Sequence, residues 1–313
     1  MRPARGPDAA VARWIRRRLA AAPPRAKSLV VTVWGDALAP HGSAVWLSGL
    51  IRLLAPLGLN ERLVRTSVYR LAREGWLASR SEGRRSVYRL TPSGSRRFED
   101  AYRRIYAPPS GRWDGSWELI FAPPGRLSSP DRRELERQLS WAGFGAPGAG
   151  LFVRPRLGAR PGVPAIPEGS RLAKQLIVVS GREPSARNAR PLRAWVPLCW
   201  DVDAVAREYR RFMARYAPVL RIFSSRRAAD PEQCFVVRTL LIHDFRRVIL
   251  HDPQLPEELL PRGWPAGNAY RLCGEFYRLT HRLAERHLSR TFAEEGQRLP
   301  SAARYFYRRF GGL

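Results

Sequence analysis

The stretch Leu59–Leu77, LNERLVRTSVYRLAREGWL, constrains the chain more than any other: it carries a start signal, a stop signal and an unbroken helical period between them. Asn60 supplies the side-chain oxygen of a helix N-cap, and Leu59 ahead of it can staple onto Val64. Gly75 stands where a helix ends in a left-handed residue. Leu63, Val64, Val68, Leu71 and Ala72 share one face. Arg62, Arg65, Thr66, Tyr69, Arg70 and Arg73 share the other, with Glu74 at its end. An apolar back and a front of guanidinium, hydroxyl and phenol groups suit the DNA major groove, where arginine reads guanine edges or holds phosphates. A solvated surface face has the same pattern, so the neighbours of the helix decide between the two.

Those neighbours are informative. SLVVTVWGDAL (Ser28–Leu38) reads as a buried first helix, and APHGS as a turn. In Ser43–Gly58, Val45, Leu47, Leu50, Ile51 and Leu54 lie at helical spacing, and Pro56 and Gly58 end the run. Two helices joined by a short glycine-containing turn, the second with a basic face, make a helix-turn-helix. WLASRSEGRRSVYRLT then holds two strand-like runs, Trp76–Ser79 and Ser86–Leu90, around a turn at Ser81, Glu82 and Gly83. Arg84 and Arg85 fall at its tip, which reads as a wing reaching the minor groove or backbone. A hairpin that only packs is the alternative. TPSGSRRFEDAYRRIYA closes the segment as a helix, and PPSG marks a boundary.

Charge points the same way. The net charge is +28, and residues 1–107 hold 21 basic and 7 acidic side chains, or +14, so half of the excess lies in the first third. An anionic membrane competes as a partner, but no basic helix has a clean apolar side. No apolar run is long enough to span a bilayer, and the N-terminus has no apolar signal core. Met1–Ala26 reads as a mobile basic arm in which VARWIRRRLAA allows a short helix, stopped by Pro23-Pro24. Cys199, Cys234 and Cys273 show no CxxC spacing and read as buried free thiols of a reducing compartment. The expectation is a cytoplasmic, nucleoid-associated protein without a membrane partner.

In the middle of the chain, SWELIFA alternates Trp117, Leu119 and Phe121, and Ser129-Pro130-Asp131 begins a helix. GAGLFVRP and KQLIVVSG are further strands, which together suggest a small α+β sandwich. The glycines of WAGFGAPGAG read as loop residues. Beyond RPLRAW the chain is helical: Asp203 can cap AVAREYRRFMARY, and Pro231–Leu250 and Ala269–Leu288 are long helices around the loop DPQLPEELLPRGWP. Nucleophile-elbow, P-loop and dinucleotide fingerprints do not occur, so neither enzyme activity nor a cofactor is expected. His243 and His251 are eight apart and His281 and His287 six apart, which does not suit a metal pair on one helix.

GDALAPHGSAVWLSGLIRLLAPLGLNERLVRTSVYRLAREGWL, GRRSVYRLTPSG, FEDAYRRIYA, WDGSWELIF, LSWAGFG and HDFRRVILHDPQLPEELLPRGWP resemble the PaaX family, repressors of the phenylacetic-acid catabolic operon. The last motif departs slightly, reading PRGWPAG. The likeness runs from Ser28 to Phe292. It implies an α+β repressor with an N-terminal winged helix-turn-helix, a central ferredoxin-like domain and a helical C-terminal domain. It also implies a homodimer on an inverted-repeat operator, released by an aryl-acetyl-CoA such as phenylacetyl-CoA. On this chain the parts fall at 1–27 (basic arm), 28–107 (DNA binding), 108–194 (central, a spacer and dimer contact) and 195–313 (effector and dimerisation). The central domain resembles that of CRISPR-associated nucleases, which makes a metal-dependent nuclease or RNA-processing factor the alternative. Asp114 would be its test residue, although no carboxylate ends the first strand.

A CoA thioester needs arginines for phosphate and an aromatic slot for its acyl end. His243, Arg246, Arg247 and His251 along one helix, with Trp264 and Arg271 soon after, form the densest cationic-aromatic cluster outside the DNA-binding segment and are the candidate effector site. Alternatively, Arg246 and Arg247 pair with Asp252, Glu257 or Glu258 as structural glue.

Overall fold

A computed structural model describes residues 8–42, 44–83, 85–107, 113–123, 125–157, 172–182, 192–225 and 229–313. The chain opens with α1 (Ala9–Ala21) and α2 (Ala26–Val33), which runs on into a π-turn, Trp34–Leu38, and a 3-10 turn, Ala39–His41. Next come β1 (Val45–Trp46), α3 (Leu47–Leu54), α4 (Glu61–Arg73), the hairpin β2 (Leu77–Glu82) and β3 (Arg85–Leu90), and α5 (Pro92–Tyr106). They are followed by β4 (Trp113–Phe121), α6 (Ser129–Trp141), β5 (Gly145–Gly148), β6 (Leu151–Leu157), β7 (Ile177–Arg182) and α7 (Val196–Cys199). The rest is helical: α8 (Val202–Ser224), α9 (Pro231–Ile249), α10 (Ala266–Glu294) and a closing 3-10 turn, Phe306–Gly311. The class is α+β, with two antiparallel sheets ordered β1-β3-β2 and β5-β6-β4-β7. Two compact units result. One comprises Met1–Pro108, Arg210–Arg247 and Asn268–Leu313; the other comprises Pro109–Tyr209 and Val248–Gly267.

In the first unit the caps of α4 form as read. Asn60 Oδ1 accepts the Leu63 N–H at 2.9 Å. Gly75 has φ +73°, and the N–H groups of Gly75 and Trp76 return to Ala72 and Leu71. Two expectations change. The helix expected from Ser43 starts only at Leu47, because Val45 and Trp46 pair with Tyr88 and Val87 of β3; strand pairing overrides the local period. The segment read as a mobile arm is helical over Ala9–Ala21, capped by Asp8 and held down by its own charge. Arg18 is buried and binds Asp244 with Nη2 at 2.5 Å and Nε at 3.1 Å. Asp244 also accepts from Tyr216 Oη and Arg215 Nη1, each at 2.8 Å.

The core of this unit is apolar around a second polar knot. Phe292 of α10 lies so close to Gly49 of α3 that an added Cβ would sit 2.5 Å from its ring. Asp36, in the π-turn, accepts from Tyr106 Oη at 2.5 Å and from Tyr277 Oη. Arg309 donates to the Asp36 carbonyl at 2.8 Å, and Arg238 Nε stands 3.5 Å from Oδ2. Arg238 also binds Glu285 at 2.9 Å. The other oxygen of Glu285 lies 2.7 Å from His41 Nε2, whose Nδ1 lies 2.5 Å from the Pro300 carbonyl. Both ring nitrogens of His41 face acceptors, so both donate and the ring is cationic.

The second unit packs each face of its sheet. Ile120, Phe152 and Phe144 meet Leu135 and Leu139 of α6; Trp117 meets Val196, Leu255 and Leu259. Across β4 and β6, Glu118 opposes Arg154 and binds it at 2.6 Å, both buried. Three readings are corrected. Gly145–Gly148 is a strand rather than loop. Asp201 caps α8 instead of Asp203, because Asp203 already lies in the first turn while Asp201 Oδ1 reaches the Ala204 N–H at 2.8 Å. Cys234 and Cys273 are buried thiols, but Cys199 is only partly covered.

Candidate nucleic-acid interface

The back of α4 consists of Val64, Ser67, Val68 and Leu71, all buried. Leu63, expected among them, is 44% exposed, and Ser67 takes its place by returning its hydroxyl to the Leu63 carbonyl at 2.7 Å. A serine that bonds its own helix can be buried, which apolar counting does not anticipate. The front carries Arg62, Arg65, Thr66, Tyr69, Arg70 and Arg73, all exposed, with Tyr69 at 61%. Arg65 pairs with Glu61 at 2.7 Å, but both are more than half exposed. Such an i,i+4 pair contributes about 0.3–0.5 kcal/mol and yields readily to a phosphate. Glu74 is neutralised by Lys27 at 2.5 Å. The front is therefore a cationic surface about 20 Å long.

Beside it, β2 and β3 pair from Leu77–Leu90 to Glu82–Arg85, and Gly83 takes φ +60° at the tip. Arg84 lies outside the described residues. Arg85 is exposed, and its guanidinium carbon stands 3.9 Å over the Trp46 ring. Sequence reading missed Arg80 and Arg89, both exposed. The signal was present in the period of two: Arg89 lies four residues from Arg85, and Arg80 opposes Val87 between them, so all three arginines share one face of the hairpin.

The candidate effector residues fall in both units. His243 is buried with Nδ1 2.9 Å from Thr32 Oγ1, and burial pushes its imidazole down to about 4, so it is neutral. Arg246 donates to the same hydroxyl at 3.0 Å and to the Ser28 carbonyl at 3.4 Å. These two side chains tie α9 to α2. Arg247 and Arg271 are exposed in the same unit, where Arg271 bonds Asn268. His251 and Trp264 belong to the second unit, where Trp264 packs edge-on against Tyr209 and Tyr209 donates to Asp252 at 2.7 Å. Four of these residues, His243, Arg246, Arg247 and Arg271, belong to the first unit, and two, His251 and Trp264, to the second.

Asp114, the residue of the nuclease alternative, is occupied. Its carboxylate accepts from the Ser116 hydroxyl and from Arg182 at 3.0 Å, and these bonds hold it well below the usual carboxylate range. Among the described residues no helix is long and apolar enough to cross a membrane.

Residues 25–94 match the family described as PaaX-like protein, and residues 200–290 the family described as PaaX-like protein C-terminal domain. The chain is 34% identical over 303 residues to the Transcriptional repressor PaaX of Escherichia coli (strain K12), covering 96% of this chain and 94% of that protein. Among solved structures it is similar to Uncharacterized protein Rv0674 from Mycobacterium tuberculosis, with a TM-score of 0.55 and 22% identity, covering 84% of this chain and 98% of that one. That likeness speaks for the fold alone.

Proposed function

The chain belongs to the PaaX family, and from that premise we propose that it is a DNA-binding transcriptional repressor of an aromatic-acid, phenylacetate-type catabolic operon. The observation that carries the DNA-binding half is the front of α4: of its four arginines only Arg65 meets a carboxylate among the described residues, and that pair is solvent-exposed. In this reading α3 and α4 are the helix-turn-helix, α4 enters the major groove and the β2–β3 hairpin is the wing. Arg62, Arg65, Thr66, Tyr69 and Arg70 face the bases, and Arg84 and Arg85 serve the flanking backbone. The central sheet serves as a ferredoxin-like spacer and dimer contact. A homodimer places two such helices on an inverted repeat, in the cytoplasm at the nucleoid. The relative's name is that of a repressor, which favours regulation over the nuclease alternative.

Release by an aryl-acetyl-CoA such as phenylacetyl-CoA completes the reading. What supports a link to DNA binding is the tether described above: His243 and Arg246 on α9 hold Thr32 of α2, and α2 packs against α4. A ligand that draws Arg246 away from Thr32 disturbs the support of α4 and shifts the population away from the DNA-binding form. Gel-shift titration tests the DNA half. Arg65→Ala relaxes base preference, whereas Arg85→Ala weakens binding across sequences and lowers the salt slope by about 1. If neither variant changes the titration, the assigned face is wrong. Calorimetry of Arg246→Ala with phenylacetyl-CoA tests the effector half; unchanged affinity removes Arg246 from the site.

A further inference from the structure

Residues 295–313 follow α10, lie outside both family matches and entered no sequence motif. They bind back across the DNA-binding segment of the same unit. Gly296 turns the chain at φ +83°. The Gln297 carboxamide accepts the Trp46 N–H and donates to the Ala44 carbonyl, each at 2.9 Å, as the backbone of an added strand would beside β1. Farther on, the Ala303 N–H reaches the Pro40 carbonyl at 2.9 Å, the Tyr305 carbonyl accepts from Tyr102 Oη at 2.7 Å, and Arg309 reaches Gly35 and Asp36. The segment is a strap fastened at both ends.

Its first fastening bears on the hairpin tip. Gly296 of the strap faces both Trp46 and Arg85: an added Cβ on it would sit 3.5 Å from the Trp46 ring and 3.7 Å from Arg85 Nη1. The Arg85 guanidinium sits over that ring, a contact with the aromatic face that does not use up its N–H donors. A long exposed arginine normally loses rotamer freedom when it meets a phosphate; a guanidinium already parked on an aromatic face has less to lose.

We propose that the strap positions the wing, with Gln297 and Gly296 seating Trp46, and Trp46 holding Arg85 ready for a DNA phosphate. Gln297 and Trp46 are thus positioning residues for a cation that sits elsewhere in the sequence. The inference rests on the DNA-binding reading given above.

The test is fluorescence anisotropy of the full chain with a labelled duplex of mixed sequence, because a phosphate contact does not depend on base identity. Titrations across a range of salt compare Arg85→Ala, Trp46→Leu, Trp46→Phe and Gln297→Ala, the last three also combined with Arg85→Ala. The expected result is a salt slope lower by about 1 for Arg85→Ala. Trp46→Leu and Gln297→Ala each weaken binding roughly three- to tenfold while Arg85 is present and have no further effect once it is gone. Trp46→Phe, which keeps a ring under the guanidinium, retains most of the affinity. Equal losses with and without Arg85 would show a structural role and overturn the proposal while leaving the DNA-binding reading intact. An unchanged titration for Arg85→Ala would remove the wing contact and the proposal with it. Failure of the wild-type chain to bind the duplex overturns the DNA-binding reading itself.

Discussion

The arginines on the front of α4 and those inside the same unit are the same side chain in opposite circumstances. Arg62, Arg70 and Arg73 face solvent. Arg18, Arg238 and Arg309 are buried, and each stands against a carboxylate: Asp244, Glu285 and Asp36. A guanidinium taken out of water is tolerated only when an anion and further acceptors compensate it, whereas one left in water keeps its charge available to a partner. Arginine suits both places because it is planar and weakly hydrated. Net charge alone therefore overstates the DNA surface: part of the basic content of the chain is internal mortar, and the cations that matter for binding are those the fold leaves uncompensated.

The sharpest way to break this contrast is Asp36→Ala. It leaves Arg309 and Arg238 buried without the anion between them and removes the acceptor of Tyr106 and Tyr277. A loss of about 3–5 kcal/mol in urea unfolding is expected; a loss below about 1 kcal/mol would mean that the interior arginines do not need their partners. Arg18→Ala comes next, at about 1–3 kcal/mol, since Asp244 keeps Arg215 and Tyr216. It should also free α1, seen as faster trypsin cleavage at Arg16 and Arg17.

His41 gives a smaller effect with a defined sign. Burial opposes its charge, but the bonds to Glu285 and Pro300 outweigh both burial and the nearby Arg238, so its pKa lies above the ordinary value. A raised folded-state pKa gives stability that is complete below the unfolded value, about 6.5, and fades as pH rises through the folded one. Wild type should therefore exceed His41→Gln by about 1–2 kcal/mol in mildly acidic urea titrations, with the gap closing in alkaline buffer. A gap that widens with pH would contradict the cationic assignment. Last, Arg65→Ala should alter stability by no more than about 0.5 kcal/mol. The same variant still changes duplex binding, and a large stability loss would place this arginine with the interior set.

What the sequence determined by itself was local. The caps at Asn60 and Gly75 are set by neighbours within a few residues and formed as read; the hairpin, α9 and α10 formed where they were read, with Ser81 and Glu82 paired in β2 rather than turning and α10 extended to Ala266–Glu294. The exposed front of α4 was legible for the same reason. Only the tertiary structure decided that Val45 and Trp46 pair as strand, that Leu63 points out, that α1 is pinned, and that His243 and Arg246 grip Thr32. It also decided which arginines are inside. Arg18 finds Asp244 at a separation of 226 residues, and Arg309 finds Asp36 at 273. Periodicity reports which side of a helix is apolar; it carries no information about which distant carboxylate will meet a given cation, and that meeting decides whether the cation holds the fold together or remains free for DNA.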